Sequence, residues 1–134
     1  MNSQQSPQVM SFDVGVTMFN QPVDSARELL TRYQAGERDF KGAYLEGVNL
    51  RNTCLARVNL VGAKLLQANL SGANLQDANL IGANLAGANL SHANLQGTHL
   101  EGANLRAANL ESANLKGTHF DGTVMPNGRF EEAG

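Results

Sequence analysis

Tryptophan is absent from the 134-residue chain, and the aromatic share is only 5%. A core organised around large rings is therefore excluded, and aliphatic side chains have to fill whatever interior forms. A single cysteine, Cys54, excludes any internal disulfide. No apolar run approaches the roughly 18 residues that a membrane-crossing helix requires, so no membrane role is expected. The first residues lack the basic flank and continuous apolar stretch of a secretion signal, which points to a cytoplasmic address. A net charge of −2 advertises neither nucleic acid nor an anionic lipid surface as partner. The length fits one compact domain.

What the chain has instead is repetition. Every fifth residue from Phe40 through Leu45, Leu50 and Leu55 to Leu115 and Phe120 is large and apolar, with no insertion. From Leu45 onward, two residues before each stands a small or β-branched residue, such as Ala43, Val48, Ala63, Ala73 or Thr118. The position between them is mostly asparagine (Asn49, Asn59, Asn69, Asn74, Asn79), and glycine dominates two residues after the leucine. A spacing of five matches neither a helix nor a continuous strand. It matches a short extended stretch broken by a turn, with alanine and leucine facing inward and asparagine outward. Glycine then falls at the third place of the turn, where a type II turn needs positive φ.

A second period closes the figure. Glycine holds 42, 62, 82, 102 and 122 without exception, and Gly97-Thr98-His99-Leu100 returns twenty residues later as Gly117-Thr118-His119-Phe120. Four five-residue units therefore make one coil, and like corners stack at the interstrand spacing of about 4.8 Å. The uniform glycine column should form type II turns. The columns carrying Arg57, Gln67, Asp77, His92, Ala107 or Ser112 are expected to use a different turn that does not depend on glycine.

The run Ala73-Asn74-Leu75-Gln76-Asp77-Ala78-Asn79-Leu80 resembles the A-(D/N)-L-x-x signature of the pentapeptide-repeat family, and the match extends over roughly residues 38–122. The resemblance implies an all-β, right-handed quadrilateral β-helix, a solenoid of about four coils. It says little about function, because fold and function separate.

A stacked solenoid needs blunted ends. Ser25-Ala26-Arg27-Glu28 reads as a capping box, Ala26, Leu29, Leu30 and Tyr33 form an apolar stripe, and Gly36 is a fitting stop. This segment resembles the N-terminal helical cap of cyanobacterial family members. At the other end Met125 and Phe130 keep the five-residue phase around Pro126-Asn127-Gly128, which reads as a partial coil closing the core. The expected organisation is an extension over 1–23, a capping helix over 24–36, the β-helix over 37–130 and a tail over 131–134. Within the extension, Met10, Phe12, Val14, Val16 and Met18 alternate with polar residues as in an amphipathic strand. That strand either packs on the protein's own barrel, pairs with a partner or second copy, or stays without fixed structure.

A barrel filled by leucine and alanine offers no pocket for catalysis, so neither enzymatic activity nor a cofactor is expected. His99 and His119 should stack in one outer column. With no carboxylate or thiolate beside them they read as surface residues in asparagine sites, not as a metal centre. His92 lies near another corner, and Cys54 falls at an outward site as a simple thiol. DNA mimicry, known among gyrase-protecting relatives, would need about 12 acids along a rod of roughly 20 Å. Between Arg38 and Gly122 only Asp39, Glu46, Asp77, Glu101, Glu111 and Asp121 are acidic, against seven basic residues. The twenty-residue period places Val61 under Ile81 and Leu66 beside them across a face bearing Tyr44, Lys64 and Asn84. These apolar sites are either a contact surface or scattered aliphatics without a role. The expected function is a non-catalytic protein-interaction or structural scaffold, monomeric or weakly dimeric, whose partner is another protein and not nucleic acid. The alternatives are a partner-binding regulator of the heterocyst type, suggested by the similar cap helix, and a DNA gyrase modulator, disfavoured by charge.

Overall fold

A computed structural model of the protein describes residues 22–131. The alternating segment with Phe12, Val14 and Val16 lies outside these residues.

Every parallel bridge among the described residues joins positions twenty apart, for example Asp39 to Asn59, Asn59 to Asn79, Asn79 to His99 and His99 to His119. One coil therefore consumes four pentapeptides, one per wall. Each wall contributes a single bridged residue because the chain turns again almost at once. In the unit Ala78–Gly82 all five amides are satisfied, as burial of a continuous backbone demands. Asn79 N–H donates to Val58 in the coil below at 2.8 Å, while Leu80 and Gly82 N–H donate to His99 and Glu101 in the coil above at 2.7 and 3.0 Å. Ala78 N–H closes the preceding turn on Leu75 O at 3.0 Å. The fifth amide, that of Ile81, has no backbone partner, and the Asn79 side-chain oxygen accepts from it at 3.1 Å.

This explains the asparagine column. Asn69, Asn74, Asn84, Asn89, Asn94, Asn104, Asn109 and Asn114 all bind the amide two residues on in the same way. Ladder bonds between stacked asparagines are fewer, such as Asn94 Nδ2 to Asn74 Oδ1 at 3.3 Å.

The corners differ from expectation in one respect. The glycine column stacks as anticipated: a Cβ on Gly122 would lie 3.7 Å from the Gly102 nitrogen. But Asn52, Arg57, Gln67, Asp77, His92, Ala107 and Ser112 also have positive φ, between 56° and 61°. Corners such as Leu65–Ala68 and Leu105–Ala108 keep the same hydrogen bond from fourth residue to first, at 3.0 and 2.9 Å. The substituted columns therefore use no glycine-independent turn. Stacking imposes one backbone path on every corner, and side chains there accept the left-handed strain.

Leucines from Leu45 to Leu105 and the alanines between them are buried along the axis. Thr98 and Thr123 are buried as well, and their hydroxyls donate to Leu75 O and Leu100 O at 2.6 Å.

One helix, α1 (Ala26–Gln34), covers the first coil. Ser25 Oγ accepts from Glu28 N–H at 3.0 Å, as an N-cap should. Gly36 at φ +103°, with Gly36 N–H to Tyr33 O and Glu37 N–H to Arg32 O both at 3.0 Å, ends it as a Schellman motif. Val23 and Leu29 are buried against the first coil, flanked by Ala26, Leu30 and Tyr33. The Tyr33 hydroxyl donates to Ala56 O at 2.8 Å, and the Arg38 guanidinium stacks 3.7 Å over its ring.

The opposite end corrects the sequence reading. Val124 bridges Phe130 in antiparallel sense, and Met125 N–H donates to Arg129 O at 2.7 Å, so the chain doubles back around Pro126–Gly128. The hairpin breaks the five-residue phase. Met125 packs on the core, but Phe130 points away and is 71% exposed, and Leu115 in the last coil is 37% exposed.

Candidate functional site

Two surface features stand out from the polar walls. The first is the wall that each coil presents between consecutive corners at 41–46, 61–66 and 81–86. Its middle column holds Tyr44, Lys64 and Asn84, bridged in that order. Tyr44 is 51% exposed, and Lys64 Nζ sits 5.0 Å from its ring centroid, a cation–π contact. Val61 and Ile81 occupy successive levels of one corner, where the Gly62 amide donates to Ile81 O at 2.9 Å. Ile81 is 38% exposed, while Val61 and Leu66 are half-buried. The structure thus brings together Tyr44, Val61, Leu66 and Ile81, four of the seven residues the sequence singled out.

The second feature lies on the adjoining wall, around the same corner. His99 and His119 stack as expected, with ring centroids 4.3 Å apart and planes within 4°. Contrary to the sequence reading, a carboxylate does stand beside them: Glu101 Oε2 is 3.3 Å from His99 Nδ1. The cause is the site that histidine occupies. Asparagine in this column reaches forward to the amide two residues on, so the side chain at that following position is its nearest neighbour; at His99 that neighbour is Glu101. Burial pushes the Glu101 carboxyl upward, but its own backbone N–H and the His99 imidazole outweigh this and hold it below the ordinary carboxylate range. Its other oxygen, Oε1, is buried without a hydrogen-bond partner. The signal was present in the chain as His99-Leu100-Glu101 followed twenty residues later by His119-Phe120-Asp121.

Cys54 is exposed, with its sulfur 3.9 Å from the Tyr33 hydroxyl. His92 sits on a different corner at φ +60° and takes no part in either feature. No helix among the described residues is long and apolar enough to cross a membrane.

Together these features define a solenoid repeat protein whose distinguishing chemistry lies on its outer walls. The pentapeptide-repeat family model matches successive overlapping segments, 39–77, 53–91, 68–106 and 88–127, and the chain belongs to that family. It is similar to the crystal structure of the pentapeptide repeat protein Rfr23 from the cyanobacterium Cyanothece 51142, at 40% identity, covering 76% of this chain and 77% of that one with a TM-score of 0.63. The pentapeptide repeat protein alr5209 from Nostoc PCC 7120 is 43% identical over 74% of this chain and 78% of its own, with a TM-score of 0.41. A pentapeptide repeat protein of the Arabidopsis thaliana thylakoid lumen is 32% identical over 59% of this chain and 62% of its own, at a TM-score of 0.39. No curated protein matches the chain.

Proposed function

We propose that the protein is a non-catalytic scaffold, a right-handed four-walled β-helix that binds another protein through the wall carrying Tyr44, Val61, Leu66 and Ile81. The observation that supports this is placement. Of the four large apolar residues that stand exposed among the described ones, Tyr44 and Ile81 share this wall; the other two, Leu115 and Phe130, lie at the C-terminal end. Elsewhere the middle sites are chiefly asparagines engaged with their own corners. An open wall with Tyr44, Lys64 and Asn84 down its middle and Val61, Ile81 and Leu66 at its flanking corners suits a protein surface better than a small ligand.

The non-catalytic part of the reading rests on the interior. Leucine and alanine fill the axis, leaving no cleft between the walls of the described coils to hold a substrate beside a titratable pair. Charge argues against mimicry of DNA, because the coils between Arg38 and Gly122 carry one more basic than acidic residue.

The test is affinity capture from the source cells with quantitative mass spectrometry, comparing the native chain with a V61S/L66S/I81S variant whose thermal unfolding is checked in parallel. Proteins retained by the native chain should be lost from the folded variant. Unchanged recovery would remove this wall from the function.

A further inference from the structure

We propose that His99, Glu101 and His119 form a binding site for a late first-row divalent transition ion, with Zn²⁺ as the representative. One ligand atom from each of the three side chains lies within 4.8 Å of the other two. Two imidazoles and one carboxylate are a donor set that zinc accepts, with the fourth position left open. Tetrahedral coordination at about 2.0–2.1 Å would require ligand atoms roughly 3.3 Å apart. His99 Nδ1 and Glu101 Oε2 already have that separation, and the wider spacings must close by up to about 1.5 Å. The parallel rings now direct their lone pairs side by side. Convergence therefore requires His119, which is exposed, to swing about its side-chain bonds while His99 stays in place.

Two further observations make this more than a chance pair of histidines. Glu101 Oε1 is buried without a partner, although its twin oxygen meets His99. A cation would satisfy that oxygen, and nothing else among the described residues does. In addition, the strands bearing both histidines are pinned from inside. Thr98 and Thr118 hydroxyls donate to Leu75 O and Leu95 O at 2.6 Å, at a site that most units fill with alanine and that Thr123 fills in the same way. The imidazoles thus project from a fixed backbone. Asp121 follows Glu101 one coil on at the same corner and adds negative potential, while Lys116 is the cation of that wall's last coil.

The column itself supplies a clean test. Asn59 and Asn79 occupy the two levels below His99 and cap their corners at 3.1 Å. Histidine-to-asparagine changes therefore restore the prevailing residue of the repeat and leave the fold intact. Calorimetric titration of the full chain with Zn²⁺ in a non-chelating buffer should show one equivalent bound. H99N and H119N should each weaken binding by about tenfold or more, E101Q by a comparable factor, and H92N not at all. Native protein that takes up no zinc, or an H99N/H119N double variant that binds as tightly as the native chain, would overturn the proposal.

Discussion

The two ends of this solenoid face the same problem and meet it differently. At the N-terminal end Leu29 of α1 and Val23 just ahead of it lie over the first coil, so the leucines there are as buried as those midway along the axis. At the C-terminal end the chain doubles back in a hairpin beside the last coil, leaving Leu115 and Phe130 in solvent. The amides of Leu110, Leu115 and Phe120 have no backbone partner above them among the described residues, whereas those of Leu45, Leu50 and Leu55 donate to the next coil at 2.7–2.8 Å. In a stack where each coil leans on its neighbours, the difference teaches that order is imposed from one end. The capped end holds the first coil in place, and local opening should begin at the other.

That contrast can be broken most forcibly by placing a charge at each end. Leu29→Asp buries an ion under the cap and should cost about 3–5 kcal/mol in chemical denaturation, whereas Leu115→Asp should cost under about 1 kcal/mol. Equal losses would mean that both ends are closed. A gentler probe is Tyr33→Phe, which removes the hydroxyl bonded to Ala56 O and should lower stability by about 1 kcal/mol. Hydrogen exchange should then speed up in the first coil while the last coil is unchanged. Near the open end, Ala107→Gly relieves a left-handed alanine at φ +61° and should raise stability by up to about 1 kcal/mol. A decrease would show that the corner favours a side chain.

The smallest effect concerns pH at the cap. The Arg32 guanidinium, chiefly through its hydrogen bond, holds the Glu37 carboxyl below the ordinary carboxylate range. A depressed folded-state value means that this contribution is complete above the unfolded value of about 4.3 and fades as pH falls through the folded one. Far-UV dichroism of α1 should therefore show slight loosening on acidification below about pH 4, and Glu37→Gln should abolish that response. Arg32 is half-buried and Glu37 is exposed to solvent screening, so the change will be modest.

Much of this molecule was legible in its sequence because the fold is a translation of one unit. Leucine every five residues sets the walls, and the glycines at 42, 62, 82, 102 and 122 set the coil; neither depends on distant contacts. The capping helix was legible for the same reason, since Ser25 and Gly36 act on their immediate neighbours. What escaped were places where the repeat is bent by something outside it. Ala107 and His92 adopt a glycine-like backbone because the corners above and below compel it, against their own preference. Phe130 keeps the spacing but not the phase, because Pro126–Gly128 reverses the chain first. Glu101 meets His99 because side chains of the asparagine column reach toward the amide two residues on, a direction that residue spacing alone does not specify. The shared wall of Tyr44, Val61, Leu66 and Ile81 was readable as a placement from the twenty-residue period alone.

The twenty-residue register also makes the walls interchangeable. Five extra residues of the repeat type inserted after Leu90 would keep every leucine pointing inward, yet carry all that follows a quarter turn around the axis. His99 would then stand above Asn84 and Lys64 instead of Asn79, and the histidine pair would join the face that now displays Tyr44. Twenty extra residues would lengthen the rod and leave the faces aligned. Such a scaffold can redistribute its surface chemistry by copying units, without recomposing its interior.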